Sequence, residues 1–192
     1  PLLRQNPGLT KYINQVGAAL ASRSSRPETF GGYHFGILDT DEVNALSGPG
    51  GFVFISRGFL EIMPDEEALA AVLAHEIGHV ILGHGVKAIS NARLSEAALL
   101  LGKEAAASYG PSELGMVSDY FGDSVNEVAD TLMKTGYSRA QEYEADAFAA
   151  QLLAQTGYSV GGLSRMLEQL HKVNGTARGG WMDTHPAPSE RK

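Results

Sequence analysis

Two histidines and a glutamate in the segment His75-Glu76-Ile77-Gly78-His79 are the residues whose types and spacing could do chemistry together. On an α-helix, positions four apart are separated by about 40° around the axis and one turn along it, so the two imidazoles can converge on one point. That is a two-toothed clamp for a metal ion. Glu76 lies about 100° from His75 and about 60° from His79, on the flank of the same face, which suits a proton acceptor better than a ligand. A zinc ion held by three protein groups and one water brings the pKa of that water toward about 7, and a neighbouring carboxylate can take the proton as the water attacks a carbonyl. The chain has no cysteine, so thiol nucleophiles and cysteine-held zinc are excluded and a metal must be bound by histidines and carboxylates.

A catalytic zinc needs a third protein ligand. The pattern in which a third histidine follows the second motif histidine by six residues is absent, because that position is Gly85 and His84 falls one short. On a continuing helix His84 would sit about 140° from His79, so it is expected behind the metal face, packing or holding a ligand from the rear. The better source is Ser138-Arg139-Ala140-Gln141-Glu142-Tyr143-Glu144-Ala145-Asp146, at a helix start. Glu142 and Asp146 share a face, whereas Glu144 points about 200° away from Glu142 and is expected to be solvated or paired elsewhere. Geometry leaves open which of Glu142 and Asp146 touches the metal; the other would hold a ligand histidine by its free ring N–H. Tyr143, about 100° round the helix from Glu142, is assigned to packing. His34 and His171 have no partners at ligand spacing and are read as structural or surface residues.

These residues must be positioned by elements that the patterning also predicts. Leu9, Ile13, Val16, Ala19 and Leu20 recur at helical spacing over residues 9–23. Three short β-rich pieces follow, Tyr33–Leu38, Val43–Leu46 and Phe52–Ile55, separated by Asp39-Thr40-Asp41 and by Gly48-Pro49-Gly50-Gly51; a small antiparallel sheet is the natural reading. An apolar turn at Phe59–Met63 leads to Pro64-Asp65-Glu66-Glu67, an N-cap candidate with acidic first-turn residues, and the motif helix starts there. Val86–Ser108 and Val125–Leu132 read as further helix, with a weak, glycine-punctuated signal over residues 109–136. Helices over Ser138–Gln155 and Val160–Val173 precede a proline-containing tail.

With 192 residues and 43% hydrophobic composition, one domain spanning residues 1–192 is expected, large enough to enclose a core. A net charge of −7 and the lack of a Lys/Arg cluster argue against nucleic acid as a partner. No apolar stretch is long enough to span a bilayer. The chain starts at Pro1 without Met, which reads as a trimmed or mature fragment from which a signal peptide or anchor could have been removed.

Asn44-Ala45 before Gly50-Gly51-Phe52-Val53-Phe54, the stretch Leu73-Ala74-His75-Glu76-Ile77-Gly78-His79, the Arg139-to-Asp146 segment and the closing His185-Pro186 together resemble the gluzincin metallopeptidases of the HtpX, Oma and CAAX-prenyl-endopeptidase group, in particular its soluble periplasmic BepA-like branch. The resemblance covers residues from about Asn44 to Arg191. It implies an α+β, mostly helical, zincin-like fold with one zinc per chain, Glu142 as the third ligand and Asp146 orienting a motif histidine. It also implies that His185 is a displaceable fourth ligand that keeps the enzyme latent, the competing reading being an ordinary loop histidine ahead of Pro186. Arg191 would stabilise the transition-state oxyanion or form a salt bridge. Phe52, Val53 and Phe54 would form a sheet edge on which an extended substrate adds as a strand, or else a core strand only.

The expected function is hydrolysis of internal peptide bonds of unfolded or misassembled polypeptides, with a bacterial periplasm or cell envelope and its assembly machinery implied by the resemblance. Two other classes compete: a chaperone-like assembly module with a His185-capped structural zinc, and a hydrolase of non-peptide amides. Neither a specificity pocket nor an oligomeric state is legible.

Overall fold

The computed structural model describes residues 2–3, 6–29, 31–88, 90, 136–173, 181 and 185. Most of Val86–Ser108 and all of Val125–Leu132, both expected to be helical, lie outside those residues, although residues 84–88 are helical.

The first helix, α1 (Pro7–Arg23), begins with Pro7 in its first turn, and the Asn6 side chain accepts a hydrogen bond from the Leu9 N–H at 3.0 Å. Both features suit a helix start, where the missing proline N–H costs nothing and an Asn oxygen satisfies an orphan donor. Its apolar stripe, Ile13, Val16, Leu20 and Ala21, is buried.

Three strands follow: β1 (His34–Leu38), β2 (Ala45–Gly48) and β3 (Phe52–Ser56). Their order in the sheet is β1-β3-β2. β2 and β3 form the expected antiparallel hairpin, with Ala45 opposite Ile55. β1, however, pairs parallel to β3, with His34 opposite Phe52, so the sheet is mixed and not purely antiparallel. The chain leaving β1 passes over the end of β3 before turning back as β2. Residues 39–44 bridge that gap comfortably, since skipping one strand spans only about 10 Å. Arg57, directly after β3, holds this crossover through ion pairs to Asp39 at 3.4 Å and Asp41 at 2.6 Å. The Ser56 hydroxyl adds a bond to the Glu42 carbonyl at 2.5 Å.

The expected turn at Phe59–Met63 is instead a short helix, α2 (Arg57–Ile62). Ser56 caps it by accepting from the Phe59 N–H at 3.1 Å, a local signal that the apolar run had obscured.

The motif helix, α3 (Glu66–Leu82), starts where the acidic turn predicts, with Asp65 accepting from the Ala68 N–H at 2.8 Å. From Ala68 to His79 every residue is buried. A helix enclosed on all sides is the centre of its domain, and the alanines let neighbours approach closely. α1, the sheet, α4 (Arg139–Thr156) and α5 (Gly161–Val173) all pack against it. Its N-terminus is gripped as well: Tyr12 and Tyr158 donate to Glu66 at 2.5 and 2.8 Å, while Arg165 pairs with Asp65 at 2.9 Å and with Glu67. α4 begins with a reciprocal cap in which Ser138 accepts from the Gln141 N–H and the Gln141 side chain accepts from the Ser138 N–H. Among the described residues, no helix is long and apolar enough to cross a membrane.

Candidate metal centre

α3 and α4 cross so that His75, His79 and Glu142 face one point, and His185 reaches the same point from the far end of the chain. All four side chains are buried, and one ligand atom from each lies within 4.8 Å of the other three. The His75 and His79 Nε2 atoms are 3.0 Å apart. Glu142 carboxylate oxygens lie 3.6 Å from His75 Nε2 and 3.4 Å from His79 Nε2, and His185 Nδ1 lies 2.7 Å from Glu142 Oε1 and 3.5 Å from His75 Nε2.

A tetrahedron of donors about 2.0–2.1 Å from its centre has edges of roughly 3.3 Å, and the separations bracket that value. The set of three imidazoles and one carboxylate, without thiolates, suits zinc. His75 Nδ1–H donates to Asp146 Oδ1 at 3.1 Å, which turns the Nε2 lone pair of His75 toward the shared point. Thus of the two carboxylates that the spacing could not separate, Glu142 faces the donor cluster and Asp146 stands behind His75.

Glu76 is fully buried on the flank of this cluster, and neither of its oxygens has a hydrogen-bond partner among the described residues. His185 Nε2 stands 3.6 Å from its Oε1, and Ser47 of β2 lies beside it. Burial raises its proton affinity above that of an ordinary carboxylate, with His79 partly offsetting the effect. For Glu142 burial acts in the same direction, but hydrogen bonds from His185 and His79 outweigh it and hold the carboxyl well below the usual range. Burial pushes His79 and His84 down, the adjacent carboxylates Glu142 and Glu144 opposing it in part.

His84 does not share the metal point. It lies behind His79, with its Nδ1 2.9 Å from His79 Nδ1, because α3 stops at Leu82 and His84 leaves the helical path on which the 140° separation was reckoned. Glu144, expected away from the metal, pairs with His84 Nε2 at 3.1 Å. Tyr143 is half exposed, His34 is exposed with its ring stacked on Phe52, and His171 is exposed on α5.

Of the two readings of Phe52, Val53 and Phe54, sheet edge or core strand, the structure contradicts the edge and fits the core strand. β3 is the central strand, paired on both sides, so its main chain offers no free edge to an incoming peptide. Val53 is buried in the core, and Phe52 and Phe54 stack on one another. Patterning could not separate the two because strand order depends on the parallel β1 partner, which local alternation does not reveal. Arg191 lies outside the described residues.

Two aromatic residues that spacing did not single out complete the site. The Tyr137 ring stacks on His79 with centroids 4.0 Å apart, and burial together with the Glu76 charge raises its hydroxyl's pKa, which keeps it a proton donor. Trp181 is buried between Phe59 and His75 and stacks on His185 at 4.3 Å. Its backbone N–H donates to the Val43 carbonyl and its backbone carbonyl accepts from the His185 backbone N–H, both at 2.8 Å, which ties Trp181 and His185 to the chain entering β2. The one signal for Trp181 was its position four residues before His185.

A buried helix carrying His75, Glu76 and His79, crossed by a second that carries Glu142, is a metallopeptidase type of centre. The chain matches peptidase family M48 over residues 7–192 and belongs to that family, whose metalloproteases use zinc. It is 34% identical to the metalloprotease LoiP of Escherichia coli over 158 residues, 82% of this chain and 59% of that protein. It is 30% identical to E. coli metalloprotease YcaL over 158 residues, with the same coverage, and 30% identical to the E. coli beta-barrel assembly-enhancing protease over 175 residues, 88% of this chain and 34% of that protein. The chain therefore spans less than two thirds of the length of these relatives.

Proposed function

We propose that this chain is a zinc-dependent endopeptidase that cleaves internal peptide bonds of unfolded or misassembled polypeptides and is held at rest by His185. The observation that carries the proposal is Glu76, a buried carboxyl without a hydrogen-bond partner among the described residues, placed beside four convergent metal donors. His75, His79 and Glu142 would hold the ion and His185 would cap it. When bound, zinc supplies Lewis acidity, polarising a peptide carbonyl and lowering the pKa of a water. Glu76 takes the proton of the attacking water and returns it to the leaving amine, and the upward push of burial on its proton affinity tunes it for that exchange. Arg191 is the proposed oxyanion donor.

Of the two outer strands, β1 and β2, it is β2 whose Ser47 lies beside Glu76, so its edge is the one nearest the site for a substrate. An extended peptide adding there would gain main-chain hydrogen bonds irrespective of its sequence, which suits unfolded polypeptides. Phe52, Val53 and Phe54 support that edge from the neighbouring strand. With His185 2.7 Å from Glu142 and 3.6 Å from Glu76, a substrate carbonyl reaches the centre only when His185 withdraws. Likeness to a protease named for beta-barrel assembly supports a place in a bacterial cell envelope and association with its assembly machinery.

The same closure by His185 favours a second reading, a chaperone-like assembly module whose capped metal is structural. Cleavage of an unfolded protein such as casein, measured with zinc content, separates the two. Glu76→Gln is expected to lower cleavage by about 10²–10⁴-fold with zinc retained. His185→Ala is expected to raise cleavage, also with zinc retained. Undiminished cleavage by Glu76→Gln would sink the hydrolytic mechanism, and no cleavage by either the native chain or His185→Ala would leave the capped module standing.

A further inference from the structure

His79 and His75 are backed differently. His75 donates directly to a carboxylate, Asp146. Among the described residues no carboxylate reaches His79 Nδ1; it faces the Nδ1 of a second imidazole, that of His84, at 2.9 Å, and His84 in turn reaches the Glu144 carboxylate through Nε2 at 3.1 Å. His84 is fully buried, whereas the Glu144 side chain is 57% exposed.

Hydrogen-bond directions along this row follow from proton counting. An ionised carboxylate only accepts, so His84 Nε2 carries the proton that faces Glu144. One proton lies between the two Nδ1 atoms. Were it on His84, that ring would be an imidazolium buried directly behind a metal ligand and repelled by the ion, with only the half-exposed Glu144 carboxylate to offset the cost. It would also force the Nε2 of a neutral His79 to carry a proton toward the metal point. With the proton on His79, His84 is a neutral acceptor and the His79 Nε2 lone pair is aimed at the shared point.

Resting on the metal reading above, we infer that Glu144 and His84 form a positioning relay behind His79: the surface carboxylate sets the tautomer of His84, and His84 sets which nitrogen of His79 faces the metal. Tyr137, stacked flat on His79, fixes the plane of the ring, and the relay fixes its proton. The relay begins on the surface of α4, two residues beyond Glu142, and returns through His84 just past the end of α3, so the two ligand-bearing helices are linked a second time behind the metal.

The test is zinc affinity, measured by competition with a chromophoric chelator on the full chain, for His84→Ala, His84→Gln, Glu144→Ala and the His84→Ala/Glu144→Ala double variant. Loss of a partner that orients a metal-bound histidine weakens binding by about 10–100-fold. His84→Ala and Glu144→Ala are each expected to weaken zinc by about tenfold or more. His84→Gln, whose amide oxygen accepts the same proton, is expected to recover most of the loss. The double variant should bind no more weakly than His84→Ala, because Glu144 acts only through His84. In the zinc-loaded chain, nitrogen NMR of the imidazoles should place the His79 proton on Nδ1. Glu144→Ala folds with a surface side chain shortened, so it carries the test if His84→Ala does not fold. Unchanged affinity in Glu144→Ala, additive losses in the double variant, or a His79 proton on Nε2 would each overturn the relay. A native chain that binds no zinc, by contrast, would overturn the metal reading itself and the relay with it.

Discussion

His79 is contacted from three directions, by the donor cluster at Nε2, by His84 at Nδ1 and by Tyr137 on its ring face. Protons displace zinc from such a site by occupying the ligand nitrogens. Burial lowers the proton affinity of His79, and Glu142 is held ionised well below the usual carboxylate range. A lowered histidine pKa means that protons compete only at lower pH. Zinc is therefore expected to remain bound as pH falls through about 6.5, the value of a free imidazole, and to leave below it. A pH titration of zinc release into a dye checks this, and release centred at or above that pH would contradict it. At this scale His75, Glu76 and His79 were legible because helical spacing is local. The choice between Glu142 and Asp146 was not, because it depends on how α4 rotates as it crosses α3. Tyr137 and Trp181 carry no periodic signal and become visible only through the rings that they touch.

α3 ends at Leu82, and Gly83 adopts a left-handed conformation with φ of 68° while its N–H bonds back to the His79 and Val80 carbonyls. This stop swings His84 out of the helical path. On a continuing helix His84 would point about 140° from His79, and the contact between their Nδ1 atoms would not form. Gly83→Ala meets no neighbour within 4 Å, so its cost is that of the backbone conformation, about 1–2 kcal/mol, read as a lower midpoint in urea. A loss much smaller than that would mean that the helix end rearranges. Element starts were legible where a side chain caps its own helix, as Asp65 and Ser138 do. The α2 helix was not, because its cap Ser56 is also the last residue of a strand. The mixed sheet escaped notice because the parallel pairing of β1 with β3 depends on the crossover over residues 39–44, held by backbone bonds from Ser56 and Gly58 and by Arg57, and not on alternation.

Across the whole molecule, α3 is a buried axle around which α1, the sheet, α4 and α5 are arranged. The mostly helical α+β class was legible from the order of patterned segments, and the central place of α3 follows from a run that is apolar on every side. Glu66, Asp65 and Glu67 hold the N-terminus of this helix to α1 and α5 far from the donors, and its apolar burial lies in the same part of the molecule, so the packing is expected to close around it without an ion. Chelation should therefore lower the melting midpoint without abolishing the fold. A ligand present at a hundred times its Kd stabilises by about 2.7 kcal/mol, and the zinc-loaded chain should exceed the metal-free one by at least that order. A metal-free chain with no cooperative melting would refute the independence of the packing.

The ligand set draws together residues that lie far apart in the chain, His75 and His185 being separated by 110 positions and Glu142 and His185 by 43. Closing such loops is entropically costly early in folding, so the complete donor set exists only once α3, α4 and the Trp181 anchor are in place. Zinc then acts as a latch and not as a template: refolding rates should be nearly indifferent to the ion, whereas unfolding should slow when it is bound.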